Sequence, residues 1–257
     1  MQVINSDSIP MSPQSILPFL RSFIWHVWTV LAIIPLALLL VLSAPFTGWR
    51  WLYRIAVWWG LWSVYGLKWI CGVEWRFMGW NHLPTDGSKT IVLSKHQSAW
   101  ETLALMALSP RPLCFVYKKE LHWIPFFGWA IRSMHMIHID RSQRAAAFKK
   151  VAAQGQEVMT QNRWVIMFPE GTRIERWKAG SYKTGGTRLA CETEAQVVPI
   201  AVSSSKCWPR NSFIKYPGMI DVSIGVPIAS AHETPDSLMV KVQTWIEGEM
   251  QRIDPRI

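Results

Sequence analysis

Cysteine is scarce in this 257-residue chain: Cys71, Cys114, Cys191 and Cys207 stand far apart, with no C-x-x-C pair among them. That argues against a disulfide framework and against a cysteine-built zinc site, and it fits a reducing compartment. Acidic side chains are few as well, 17 Asp and Glu against 27 Lys and Arg, for a formal charge of +10. From Ser22 to Trp49 there is no Asp, Glu, Lys or Arg at all. The chain has no internal repeat, no low-complexity tract and no G-x-S-x-G turn of the kind that presents a nucleophilic serine. No cluster of metal-ligating residues is visible either, so neither a metal nor a resident cofactor is expected.

Tryptophan, by contrast, is abundant: 17 residues, ten of them before position 81. A basic chain suits anionic membranes, nucleic acid or polyanionic ligands alike. Tryptophan prefers the membrane–water interface, so membrane lipid is the expected partner and nucleic acid is not. About 20 apolar residues make a helix roughly 30 Å long, enough to cross a bilayer core. The charge-free stretch reaches that length, is too long for a signal-peptide core, and contains Leu36 to Leu42 with no polar face. Pro35 is expected to kink it. A turn at Pro45-Phe46-Thr47-Gly48 leads to a second apolar run, Ile55 to Leu67, which is short for a span. Arg21, Arg50, Arg54 and Lys68 mark both ends and the turn, and positive residues resist translocation. The expected organisation is a polar leader over 1–18, a membrane-anchoring helical hairpin over 19–80 that enters from one side, and a larger domain over 81–257 facing the cytoplasm from the inner membrane.

Beyond Trp80 the composition changes. Runs with strand character over 90–93, 113–117, 135–139, 163–168, 197–202 and 219–224 alternate with helical patterns over 99–108, 122–132, 142–160, 183–193 and 236–251. This alternation predicts an α/β fold, a mostly parallel twisted sheet with flanking helices, whose ligand site lies at the carboxyl ends of strands.

One such end carries Ser94-Lys95-His96-Gln97-Ser98-Ala99-Trp100-Glu101. On a regular helix residues five apart point about 140° from each other. With His96 in the turn and Glu101 in the first helical turn, the carboxylate can instead reach back to the imidazole, giving the base and orienter of an acyl-transfer site. The same residues also read as a capping box, Ser98-x-x-Glu101, with Glu101 serving the backbone. A second strand end carries Phe168-Pro169-Glu170-Gly171-Thr172-Arg173. Here glycine allows close backbone approach, Thr172 offers a hydroxyl and Arg173 a planar fork for phosphate; a plain turn with a solvated arginine is the alternative. Between them, Lys118 and Lys119 end a strand before the aromatic segment Leu121 to Gly128, and His138-Ile139-Asp140-Arg141 follows. Basic strand ends beside large apolar residues suit a ligand with an anionic head and a fatty tail, and equally a solvated charge pair over an aromatic core.

Taken together, four blocks resemble the lysophosphatidic acid acyltransferases, within the glycerolipid acyltransferases. His96-x-x-x-x-Glu101 matches the first motif and Lys118-x-Glu120-Leu121-x-x-x-Pro125-x-x-Gly128 the second. Phe168 to Arg173 matches the third and Val198-Pro199-Ile200 the fourth, all in the family's order. Two residues depart: Glu101 stands where the family usually has Asp, and Lys95 where Asn is frequent. The resemblance implies transfer of a fatty acyl group from acyl-CoA or acyl carrier protein to the free hydroxyl of a lysophospholipid acceptor, lysophosphatidate. His96 is then the general base and Glu101 its orienter. Lys118 and Arg173 hold the acceptor phosphate in a cradle built with Glu170, Gly171 and Thr172. Rival readings are an acyltransferase for another lyso-lipid or for glycerol phosphate, a membrane lipid hydrolase acting through water or Ser98, and a non-enzymatic membrane adaptor.

Overall fold

In the computed structural model the described residues are 13–124, 127–139 and 144–256. Two helices come first, α1 (Pro13–Ser43) and α2 (Trp49–Cys71). Helix α1 is long and apolar enough to cross a membrane, and most of its large apolar side chains are unburied. It begins inside the stretch expected to be a polar leader, since proline at a helix start costs nothing. It also runs unbroken through Pro35. The helices pack antiparallel face to face. Trp28 stacks on Trp62 with centroids 4.1 Å apart, and Trp25 donates its indole N–H to the Ser63 carbonyl at 2.8 Å. Gly66 makes this possible: a Cβ there would stand 2.5 Å from the Trp28 indole nitrogen.

The seven strands are β1 (Val73–Met78), β2 (Thr90–Ser94), β3 (Leu113–Lys118), β4 (Ile137–Ile139), β5 (Trp164–Met167), β6 (Gln196–Val202) and β7 (Gly218–Ile224). They form one sheet in the order β1-β7-β6-β2-β5-β3-β4, parallel throughout except between β6 and β7. Strands β2, β5 and β6 lie at its centre and are almost wholly buried. That is why each reads as a continuous apolar run rather than an alternating one. Helices α3 (Trp100–Leu108), α4 (Phe127–Ser133), α5 (Arg144–Thr160), α6 (Gly185–Thr193) and α7 (Pro235–Ile253) flank the sheet. The α/β fold with a mostly parallel sheet is thus as the strand–helix alternation implied. Instead of one helix over 122–132 there is a short 3-10 turn at Lys119–Trp123 and then α4. Pro125 of the second motif, and Asp140 and Arg141, lie outside the described residues.

The sheet takes in β1, on the hairpin side of the composition change at Trp80. Its Glu74 and Arg76 break the apolar pattern, and Arg76 pairs with Asp221 of the neighbouring β7 at 2.6 Å. The hairpin, too, is built into the domain. The Tyr53 hydroxyl of α2 donates to the Met106 carbonyl at 3.3 Å and accepts from the Leu113 N–H at 2.8 Å. On α1, Ser22 accepts from the Lys215 backbone N–H at 2.8 Å. The Lys215 ammonium lies 4.7 Å from the Trp25 ring and 4.5 Å from that of Trp208.

Candidate active site

Strands β2 and β5 lie side by side with Leu93 opposite Met167, so the loops leaving their carboxyl ends emerge together. One loop carries His96, the other Phe168 to Arg173. The His96 ring stacks on Phe168 with centroids 4.0 Å apart, and the Ile174 N–H donates to the His96 carbonyl at 2.7 Å. On the other side β6 pairs with β2, Ser94 facing Ile200, and the Ile200 carbonyl accepts from the Lys95 N–H at 2.9 Å. The fourth motif therefore steers the exit of β2.

Helix α3 begins at Trp100, with His96 in the loop before it and Glu101 in its first turn. The Glu101 carboxylate is fully buried and points back along the chain. Its Oε2 lies 3.9 Å from His96 Nδ1, which has no hydrogen-bond partner. It also accepts from the Gln97 N–H at 2.8 Å, from the Ser98 N–H at 3.1 Å and from the Ser98 and Ser204 hydroxyls. The capping box is only half formed: Ala99, not Ser98, is the N-cap, and the Ser98 hydroxyl accepts from Trp100 rather than from Glu101, while the Glu101 carboxylate holds the loop before the helix and stands beside the imidazole. Burial pushes the Glu101 pKa up, and these donors pull against it. Ser98 is itself buried and tied between Glu101 and the Trp100 N–H, so it has no free hydroxyl to attack a substrate.

The His96 side chain is 13% exposed. Burial, and then the charge of Arg173, pull its pKa down from 6.5 to about 4, so the imidazole is neutral at physiological pH. Arg173 is therefore close enough to be felt. Gly171 turns the chain with φ +67°, a left-handed conformation that disfavours side chains, and its N–H donates to the Phe168 carbonyl at 2.9 Å. Gly171 and Thr172 are exposed at the mouth.

Glu170 turns inward. It accepts from the His96 N–H at 3.0 Å, from the Gly180 N–H at 3.2 Å and from the Lys95 ammonium at 2.7 Å, leaving its side chain no surface for a ligand. Lys95 also reaches Glu247 of α7 at 2.7 Å, and Tyr182 donates to the same carboxylate. The lysine that departs from the usual motif thus comes with a carboxylate from the far end of the chain. Lys118 is exposed at the close of β3, at the same end of the sheet but two strands from β2. At about 4.8 Å per strand that is roughly 10 Å. Ser204 and Glu247 were not legible as site residues. The serine run Ser203-Ser204-Ser205 directly after a buried strand was the one available signal.

A partly exposed imidazole beside a buried carboxylate, with an arginine near enough to shift its pKa, is an arrangement chemically suited to moving a proton at a hydroxyl. The sequence model of the family described as Acyltransferase matches residues 75–203. The chain is 37% identical over 216 residues to the 1-acyl-sn-glycerol-3-phosphate acyltransferase of Pseudomonas aeruginosa, covering 82% of this chain and 83% of that one. It is 29% identical over 175 residues to the alpha enzyme of that name from Homo sapiens, spanning 67% of this chain and 61% of that protein. The crystal structure of the 1-acyl-sn-glycerophosphate (LPA) acyltransferase of Thermotoga maritima superposes with a TM-score of 0.77 at 19% identity, over 95% of this chain and 99% of that one. The protein belongs to the acyltransferase family and is an acyltransferase enzyme.

Proposed function

We propose that the protein transfers a fatty acyl group from a thioester donor, acyl-CoA or acyl carrier protein, to the free glycerol hydroxyl of lysophosphatidate. The product is phosphatidate, a precursor of membrane phospholipids. The observation that carries this reading is the largely buried His96 with Nδ1 facing the buried Glu101 carboxylate 3.9 Å away. His96 takes the proton from the acceptor hydroxyl as its oxygen attacks the thioester carbonyl, and returns it to the departing thiolate. Such a base typically contributes about a hundred- to ten-thousandfold. Glu101 holds the ring and stabilises the imidazolium once the ring moves the last ångström; catalytic hydrogen bonds are often long before substrate binds. Arg173 and Lys118 hold the acceptor phosphate, Gly171 and Thr172 shape the approach to it, and Glu170 positions the loop from below. No resident cofactor takes part.

The likeness in name of the bacterial and mammalian relatives supports this acceptor, and the exposed apolar faces of α1 and α2 support a membrane substrate. The hairpin enters the inner membrane from the cytoplasmic side, keeping the turn at Thr47 inside. Purified protein should transfer labelled acyl groups to lysophosphatidate in preference to other lyso-lipids and to water. Release of free fatty acid at the same rate without an acceptor would instead identify a hydrolase. A Thr47→Cys variant should react with impermeant thiol reagents only from the cytoplasmic side.

A further inference from the structure

The serines directly after β6 belong to none of the four motifs, yet one of them reaches the buried carboxylate. Ser204 opens a 3-10 turn, Ser204–Lys206, and is fully buried. The turn is held from β7: the Ser203 N–H donates to the Asp221 carbonyl at 3.0 Å, and the Ser203 hydroxyl accepts from the Asp221 N–H at 2.9 Å. The Ser204 carbonyl accepts from the Trp208 N–H at 2.8 Å. On its other side the turn meets the loop that carries His96. The Ser205 N–H donates to Gln97 Oε1 at 3.3 Å, and the Ser204 hydroxyl donates to Glu101 Oε1. The two oxygens of Glu101 are thereby divided in use. Oε1 takes the Ser204 hydroxyl and the N–H groups of Gln97 and Ser98. Oε2 takes the N–H and hydroxyl of Ser98, and faces His96 Nδ1 at 3.9 Å.

A buried carboxylate goes neutral unless a counter-ion or hydrogen bonds hold its charge. Burial pushes the Glu101 pKa up, and of the groups that pull it down the Ser204 hydroxyl is the strongest, ahead of the backbone donors. Nearby cations are engaged elsewhere, Lys95 with Glu170 and Glu247, and Lys206 with Asp221 at 3.2 Å. The titratable group facing Glu101 is His96, itself under the charge of Arg173. A protonated Glu101 would have no charge with which to stabilise an imidazolium.

We propose that Ser204 is a positioning residue for the acyl transfer: its hydroxyl, carried on the turn after β6, pins Oε1 of Glu101 and leaves Oε2 turned to the imidazole. The inference rests on the acyl-transfer reading given above. Ser205 supplies the control, since its hydroxyl is buried in the same turn and has no hydrogen-bond partner.

Kinetics of the full-length protein over a range of pH test it. Ser204→Ala should lower kcat about tenfold or more, the worth of a hydrogen bond to a charged group, with KM for lysophosphatidate changed less than about twofold. Its melting temperature should fall little, because Oε1 keeps the Gln97 and Ser98 donors. Losing a donor raises the pKa of Glu101, so the charged form is lost sooner as pH falls, and the acid limb of kcat/KM should move to higher pH. Ser205→Ala should change neither the rate nor the limb. An unchanged kcat in Ser204→Ala, or a limb that stays in place, overturns the proposal. So does an equal loss in Ser205→Ala, which would make both serines props of the turn. Should Ser204→Ala melt far below the wild type, Ser204→Cys takes its place, with a weak donor where the hydroxyl was. It is expected to show the same lower kcat and moved limb, and the proposal falls if it shows neither. If the wild type transfers no acyl group at all, it is the acyl-transfer reading that fails. An NMR titration of protein carrying labelled glutamate carboxyls, assigned with Glu101→Gln, then still decides the role of Ser204. The Glu101 midpoint should rise in Ser204→Ala, and an unmoved midpoint overturns the inference.

Discussion

Lys95 and His96 are neighbours in the chain, and each faces a buried glutamate. The Lys95–Glu170 contact is closed: 2.7 Å, almost no exposure on either side, and every oxygen of Glu170 engaged. The His96–Glu101 contact is open: 3.9 Å, an unpartnered Nδ1, and a ring that still meets solvent. The first has the geometry of a structural support and the second that of a site that tightens around a substrate. Removing one member of the closed buried pair strands a charge, whereas removing the His96 ring from the open pair should cost little stability and, on the proposed mechanism, most of the chemistry.

That contrast can be broken most directly at His96. His96→Ala should lower the rate of acyl transfer about a hundred- to ten-thousandfold. Its melting temperature should stay near that of the wild type, because the ring makes one stacking contact and no side-chain hydrogen bond. A variant that keeps a tenth of the rate would dismiss His96 as the base. The mirror experiment is Lys95→Ala, which leaves the buried Glu170 and the half-buried Glu247 without their cation. A loss of about 3–5 kcal/mol in chemical denaturation is expected. A stable Lys95→Ala protein would mean that the two pairs do not differ in kind.

Glu101→Gln falls between these limits. The structure gives the carboxylate four donors, and an amide must turn its own N–H₂ toward some of them. About a hundredfold loss in rate is expected, with about 1–3 kcal/mol of stability lost for the unsatisfied donors. Loss of stability with full specific activity would make Glu101 a loop brace alone.

The smallest effect expected is at Arg173. Arg173→Ala should raise KM for lysophosphatidate about tenfold or more, the worth of one charge-assisted phosphate contact, and spare the donor. It should also move a pH profile. On the proposed mechanism the neutral form of His96 is the active one, and burial holds its pKa at about 4, so kcat/KM of the wild type should hold its plateau well below pH 6 and fall as pH approaches that value. Burial remains in the variant but the nearby positive charge is gone, so the acid limb should shift to higher pH. A limb that does not move would place Arg173 too far from the imidazole to serve the same substrate.

The sequence was most informative about elements. Strands β2, β3, β5, β6 and β7 and helices α3, α5, α6 and α7 fall within a few residues of the runs that periodicity marked out, because burial on both faces or on one face of an element leaves its period in the chain. Strand β1 escaped because its charged residues are satisfied by a partner strand 145 positions away, as with Arg76 and Asp221. The same holds in the site. His96, Glu101 and Arg173 were legible from their places at strand ends, and the partners Ser204 and Glu247 were not, since nothing local ties them to residues 95–101.

By itself, then, the sequence determined an apolar α1 too uncharged for a soluble surface, the alternation that makes a parallel sheet, and the chemistry-bearing residues at two strand ends. These are local properties, written in composition and spacing. The tertiary structure alone decided that β2 and β5 lie side by side, that α2 is built into the catalytic domain as well as into the hairpin, and that Glu170 faces Lys95 while Glu101 stops short of His96. Those outcomes depend on which distant surfaces pack together, and packing sets the distance and the burial that separate the closed Lys95–Glu170 pair at 2.7 Å from the open His96–Glu101 pair at 3.9 Å.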